Sequence, residues 1–213
     1  MSLSTLITDF LEYLEVERNA SQKTIQNYDH YLKRFLDFAG DIEPNGIDLN
    51  LIRKYRLYLS RWSDPRTKAS LKRVTQNYFM IALRAFLRYL ERKDVTTLSA
   101  EKIELGETDA SPIKVLDEDA LVRLLNAPDV LDKRGLRDKA LLETLFSTGL
   151  RVSELSSLNR DTVNLERKEF SVVGKGSKER IVFLSESAVK WIDQYLKSRT
   201  DCYKPLFIRY QGK

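Results

Sequence analysis

Residues 3–94 repeat apolar side chains at helical spacing, with only Gly40 and Gly46 among them as glycines, and such a pattern settles into a helical bundle. Leu3, Leu6, Ile7, Phe10, Leu11 and Leu14 make one stripe, and Ile25, Tyr28, Leu32, Phe35, Leu36 and Phe38 make a second. Ser21 is placed to cap the second helix and Gly40 to stop it. A third helix is expected from about 50 to 62, after the turn-forming EPNG at 43–46. A fourth is expected from about 69 to 93, with Val74, Tyr78, Ile81, Ala82, Ala85, Phe86 and Tyr89 as its inner face. Residues 1–94 therefore read as a four-helix domain.

The pattern changes after that. Residues 95–112, including TTLSAEKIELGETDASP, are acidic and turn-rich and read as an interdomain linker. A second domain, 113–213, opens with Asp117 ahead of the helix DEDALVRLLNA. A further helix runs from Gly135 or Leu136 to Phe146, and its apolar run ALLETLF is expected to be buried. EFSVVGKGSKERIVFLS then reads as a β-hairpin in which Phe170, Val172 and Val173 meet Ile181, Phe183 and Leu184, with Lys175 and Lys178 at the tip. The GKGSK turn is not a nucleotide-binding loop, because Glu169 stands where such a loop needs its first glycine and Gly176 where it needs Ser or Thr. The fold class is thus mainly α with a small β-hairpin.

Charge narrows the choice of partner. A net charge of +5 and a pI near 9.2 suit a polyanion. Between 66 and 93 the basic residues Arg66, Lys68, Lys72, Arg73, Arg84, Arg88, Arg92 and Lys93 are opposed only by Glu91, and Thr75, Gln76 and Asn77 lie near the start of the helix. Such a run is either a solvated outer face or a helix set against DNA, where cations meet phosphates and short polar groups reach base edges. One cysteine, Cys202, and one histidine, His30, exclude an internal disulfide framework and a Cys/His zinc site, which points to a reducing, cytoplasmic setting. The N-terminal stretch carries acids where a signal peptide needs an apolar run, and no stretch approaches the roughly 20 apolar residues of a membrane span.

In STGLRVSELSSLNRDTVNL, Arg151 follows a Thr-Gly turn at the start of an apolar helical pattern. One reading pairs it structurally with Glu154, three residues on and on the same helical face. TGLRVSEL followed by VVGKGSKER, however, resembles the first two catalytic boxes of the tyrosine recombinases, the phage-integrase family, and most closely its Xer branch. SQKTIQNYDHYLKRFLDF and TQNYFMIALRAFLRYLERK resemble that family's helical core-binding domain. The resemblance implies an N-terminal SAM-like four-helix domain and an incomplete mixed α/β catalytic domain. It also implies cutting and rejoining of duplex DNA through a 3′-phosphotyrosyl intermediate, without metal or other cofactor. The partners it implies are an inverted-repeat core site and a homo- or hetero-tetramer on DNA.

Under this resemblance Arg151 is the first of two catalytic arginines, Lys175 protonates the departing 5′-oxygen with Lys178 as its rival, and Glu154 supports the site. Lys178 and Arg180 contact backbone phosphates, while Thr24, Asn27, Lys72, Arg73 and Gln76 face the DNA from the first domain. The family's His-x-x-Arg box and nucleophilic tyrosine have no counterpart: His30 is the only histidine, PLF resembles the segment preceding that box, and Tyr203 and Tyr210 fall too early. The expectation is a fragment that binds DNA without cleaving it, or else a recombinase-derived binding or regulatory protein.

Overall fold

A computed structural model describes residues 1–107, 115–174 and 178–210. The chain divides into two compact units, Met1–Pro112 and Ile113–Lys213. The fold is mostly helical, with one two-stranded antiparallel sheet. Among the described residues no helix is long and apolar enough to cross a membrane.

In the first unit, α1 (Leu3–Val16), α2 (Gln22–Ala39) and α3 (Leu49–Arg61) each begin on a side-chain oxygen. Ser21 Oγ accepts from Thr24 N at 3.2 Å and Asp48 Oδ1 from Leu51 N at 2.7 Å, satisfying first-turn N–H groups that have no partner inside the helix. Gly40 ends α2, as expected, and donates to Leu36 O at 2.8 Å. Helix α4 spans Arg73–Arg92 and so begins later than expected. The Asp64 side chain accepts from the N–H groups of Arg66 and Thr67, and Ser63 bridges to Ser70, so the residues before Arg73 are held in a closed turn.

The inner face of α4 also differs from the expected one. Val74, Tyr78 and Ile81 are exposed, whereas Phe79, Met80, Leu83, Phe86, Leu87 and Leu90 are buried with Ala82 and Tyr89. Leu83, Phe86, Leu87 and Leu90 are completely covered, each contributing about 1.5–3 kcal/mol of apolar burial. Phe10 of α1 meets Tyr28 and Phe86 edge-on, both at 5.6 Å, which joins α1, α2 and α4.

Residues 95–107, expected as linker, fold onto this unit instead. Ala100 and Ile103 enter its core, Ala100 N donates to Glu91 Oε1 at 2.9 Å, and Asn77 both donates to Gly106 O and accepts from Gly106 N, at 2.7 and 3.0 Å. The acids of this segment are not idle, since Glu101 lies 3.5 Å from Arg84 and 2.7 Å from Arg88.

The second unit contains α5 (Glu118–Leu125), α6 (Lys133–Thr148), α7 (Val152–Ser156), β1 (Glu169–Val173), β2 (Glu179–Phe183) and α8 (Glu186–Ser198). Asp117 caps α5 as expected, accepting from Ala120 N at 2.7 Å. The run ALLETLF is only partly enclosed: Ala140 and Thr144 are buried, but Phe146 is 60% exposed. Two charged members of α6, Lys139 and Glu143, take buried positions, with Lys139 Nζ 2.9 Å from Glu143 Oε1 and donating to Leu125 O and Asn126 Oδ1. All three ammonium protons thus have acceptors, which is what makes a buried lysine tolerable.

The hairpin pairs Glu169 with Phe183, Phe170 with Val182, Ser171 with Ile181, Val172 with Arg180 and Val173 with Glu179. Phe170, Val172, Val182 and Leu184 face the core, while Val173, Ile181 and Phe183 are exposed. The expected contacts of Val173, Ile181 and Phe183 fail because side chains alternate along a strand, and Phe170 and Val172 fix which face turns inward. Arg199 fastens the end of the unit: its buried guanidinium bonds Asp201, Tyr203 O, Pro205 O and Leu206 O.

Candidate functional site

Arg151 is placed by the turn before it. Gly149 closes α6 in the left-handed region at φ +60°, its N–H on Leu145 O at 2.9 Å, a conformation a side-chain-bearing residue adopts only with strain. Leu150 is then buried and Arg151 becomes the N-cap residue of α7. Glu154, at the third position of α7, reaches back and accepts from Arg151 N at 2.9 Å. Its other oxygen accepts from Arg151 Nη1 at 3.0 Å. The carboxylate is 7% exposed and the Arg151 side chain 66% exposed, so a buried anion anchors an outward-facing cation. Among the described residues Nη1 is the only guanidinium nitrogen of Arg151 engaged by the protein.

A second arginine joins this pair. Arg180 Nη1 and Nη2 lie 3.1 and 2.8 Å from Glu154 Oε1 and Oε2. These bonds, with those from Arg151, pull the Glu154 carboxyl down to about 2, overcoming the opposing effect of burial. Glu154 in turn raises Arg180 above its ordinary value. Two guanidiniums against one carboxylate leave a net positive site whose exposed fork suits the non-bridging oxygens of a phosphate. Lys178 is exposed, with its carbonyl accepting from Gly174 N at 2.8 Å, and Lys175 lies outside the described residues.

The first-unit candidates divide between two depressions. Thr24 and Asn27 line one of about 430 Å³ with Tyr28, Tyr31, Tyr78 and Ile81. Arg73 and Gln76 line another of about 630 Å³ with Asn50, Arg53, Lys54 and Arg56. Lys72 is exposed at the start of α4, and Gln76 Nε2 donates to Leu71 O at 2.9 Å, so its amide orientation is set locally. The cations of α3 that line the second depression, Arg53, Lys54 and Arg56, were missed in the sequence, although Arg53 and Arg56 stand three residues apart on one helical face. Glu91 is the only acid within 66–93, but Glu101 from beyond the run pairs with Arg84 and Arg88, and Arg92 donates to Tyr13 Oη at 3.0 Å.

The two late tyrosines differ in setting. Tyr203 is 66% exposed, whereas the Tyr210 hydroxyl is enclosed, and burial pushes it up to about 12.

Comparison with known proteins finds relatives across both units. The model of the phage integrase family matches residues 114–213, and that of the phage integrase N-terminal SAM-like domain matches residues 7–94. Tyrosine recombinase XerC of Pelobacter propionicus is 36% identical over 214 residues, which cover 97% of this chain and 68% of the relative. Tyrosine recombinase XerD of Listeria innocua is 33% identical over 201 residues, covering 92% and 65%. XerD of Vibrio vulnificus is 31% identical over 194 residues, covering 90% and 61%, so the chain spans about two thirds or less of the length of these relatives. Among solved structures, the Tn1549 transposon integrase in complex with transposon right end DNA has a TM-score of 0.74 at 16% identity, covering 98% of this chain and 71% of that one. A lambda integrase dimer bound to a COC′ core site has a TM-score of 0.69 at 15% identity, covering 91% and 69%; both likenesses are of fold. The chain belongs to the phage integrase family of tyrosine recombinases, in its Xer-like branch.

Proposed function

We propose that the chain binds duplex DNA and serves site-specific recombination, with the first unit holding the duplex and Arg151 holding a phosphate. The observation that carries this reading is the exposed Arg151 fork anchored on a buried carboxylate. In the reaction, a tyrosine hydroxyl gives up its proton to solvent or a base as its oxygen bonds to phosphorus, the bond to the 5′-oxygen breaks, and the departing oxygen takes a proton to become a 5′-hydroxyl. Negative charge builds on the non-bridging oxygens, where a preorganised guanidinium stabilises the transition state more than the ground state. Lys175 supplies the proton in this proposal. Thr24, Asn27, Lys72, Arg73 and Gln76 face the duplex, and Arg53, Lys54 and Arg56 extend the cationic surface on which it lies.

The DNA partner is an inverted-repeat core site bound by four subunits in the cytoplasm, for resolution of chromosome dimers before cell division or for integration of a mobile element. In this proposal the 213-residue polypeptide on its own binds without cutting, and its Tyr210 hydroxyl is enclosed rather than presented to a phosphate.

Two measurements test this. Affinity for a labelled duplex should fall steeply with salt, each neutralised phosphate adding roughly 0.9 to the log–log slope; an affinity unchanged between low and moderate salt defeats the proposal. A nicked suicide duplex should yield no covalent adduct with the 213-residue chain. A covalent band abolished by Tyr203→Phe or Tyr210→Phe would overturn that part.

A further inference from the structure

Arg180 directs two of its five N–H donors at a buried carboxylate, with its side chain 42% exposed. Both terminal nitrogens meet both Glu154 oxygens, at 3.1 and 2.8 Å, a fork-on-fork arrangement that fixes orientation as well as separation. The same two oxygens accept from Arg151, one from its backbone N–H and one from Nη1. Any rotation of the Glu154 carboxyl therefore breaks bonds to both arginines at once. Gly174 adds a steric constraint, because a Cβ there would lie 2.8 Å from Arg180 Nη1 and 3.8 Å from Glu154 Oε1. The end of β1 thus abuts the guanidinium, and the bond from Gly174 N to Lys178 O, at 2.8 Å, ties together the chain on either side of residues 175–177.

We propose that Arg180 is a positioning residue: by clamping Glu154 it sets the direction of the Arg151 guanidinium and fastens the base of the hairpin loop to the same anchor. Its contribution to DNA binding runs through Arg151 and not through a phosphate of its own. This rests on the reading of Arg151 as the phosphate ligand. Lysine cannot replace Arg180, since a single ammonium holds a carboxylate by charge but does not fix its plane.

A double-mutant cycle on the 213-residue chain tests the proposal, using Arg151→Gln, Arg180→Gln, the double variant and Arg180→Lys. Anisotropy of a labelled duplex is followed across a salt series, and far-UV melting curves report folding. Each single glutamine variant is expected to lose a few-fold in affinity and about 0.9 in salt slope, the loss of one phosphate contact. The double variant should lose no more than Arg151→Gln alone, because residues acting through one contact are not additive. Arg180→Lys should behave as Arg180→Gln despite its charge, and it carries the test if the glutamine variant does not fold.

Additive losses, with a further fall of about 0.9 in slope, would show Arg180 on a phosphate itself and overturn the proposal. So would wild-type affinity in Arg180→Lys. Unchanged binding in Arg151→Gln would instead defeat the reading of Arg151, and the inference with it. A residue that only stabilised the fold would lower the melting temperature without coupling to Arg151.

Discussion

At Glu154 a carboxyl is held at about 2, against an ordinary 4.5, by bonds from Arg180 and Arg151. A depressed folded-state pKa means that the group stabilises the fold fully above about pH 4.5 and that this contribution is lost as the pH falls toward 2. Glu154→Gln should therefore melt below wild type at pH 6, and the gap should narrow below about pH 4.5 and close only near pH 2. A gap independent of pH would mean that the carboxylate is not the source. Asp201, lowered from 3.8 to about 2 chiefly by Arg199, persists in the variant and keeps some acid sensitivity in it. At Arg151, substitution by lysine should recover little of the duplex affinity lost in Arg151→Gln, as anisotropy would show, because an ammonium lacks the planar fork. Arg151 and Glu154 were legible in the sequence, being three residues apart on one helical turn. The Glu154–Arg180 pair was not read in the sequence, because the two stand 26 residues apart and meet only in the folded unit, α7 against β2.

Helix α4 illustrates what periodicity resolves and what it leaves open. Apolar side chains surround most of its circumference, so Val74, Tyr78 and Ile81 compete with Phe79, Met80 and Leu83 for the inner face. Packing against α1, α2 and α3 decides between the two sets, and a single sequence holds no record of it. The decision is measurable. Phe86→Ala should cost about 3–5 kcal/mol in urea unfolding, the usual loss for a buried aromatic. Ile81→Ala should stay within about 0.5 kcal/mol, as expected for a surface position. Equal losses would mean that the face has been misassigned. The capping signals were easier to read, since Ser21, Gly40 and Asp117 act through local backbone geometry alone. In the hairpin, the strands were legible from composition, but Phe170 and Val172 were expected to meet Ile181 and Phe183, whereas the register sets them opposite Val182 and Arg180 and leaves Ile181 and Phe183 exposed.

For the molecule as a whole, helix content was legible, but the tertiary place of the segment after residue 94 was not. Acidic, turn-rich composition reads as linker, yet Ala100 and Ile103 are buried, and Glu101 answers the arginines of α4. A polypeptide ending at residue 94 should consequently be less stable than one ending at 107. Loss of the Ile103 side chain alone removes about 1.5–3 kcal/mol of burial. In a domain of this size each kcal/mol moves the melting temperature by roughly 4–8 °C, so a calorimetric scan should separate the two polypeptides by at least about 6 °C. Equal melting temperatures would make the segment a passenger. The attachments of this segment have a mechanical side as well. Asn77, Arg84 and Arg88 grip it along the length of α4. A tug on the chain at residue 107 is therefore delivered to α4 as a load spread over several turns, with no slack to absorb it.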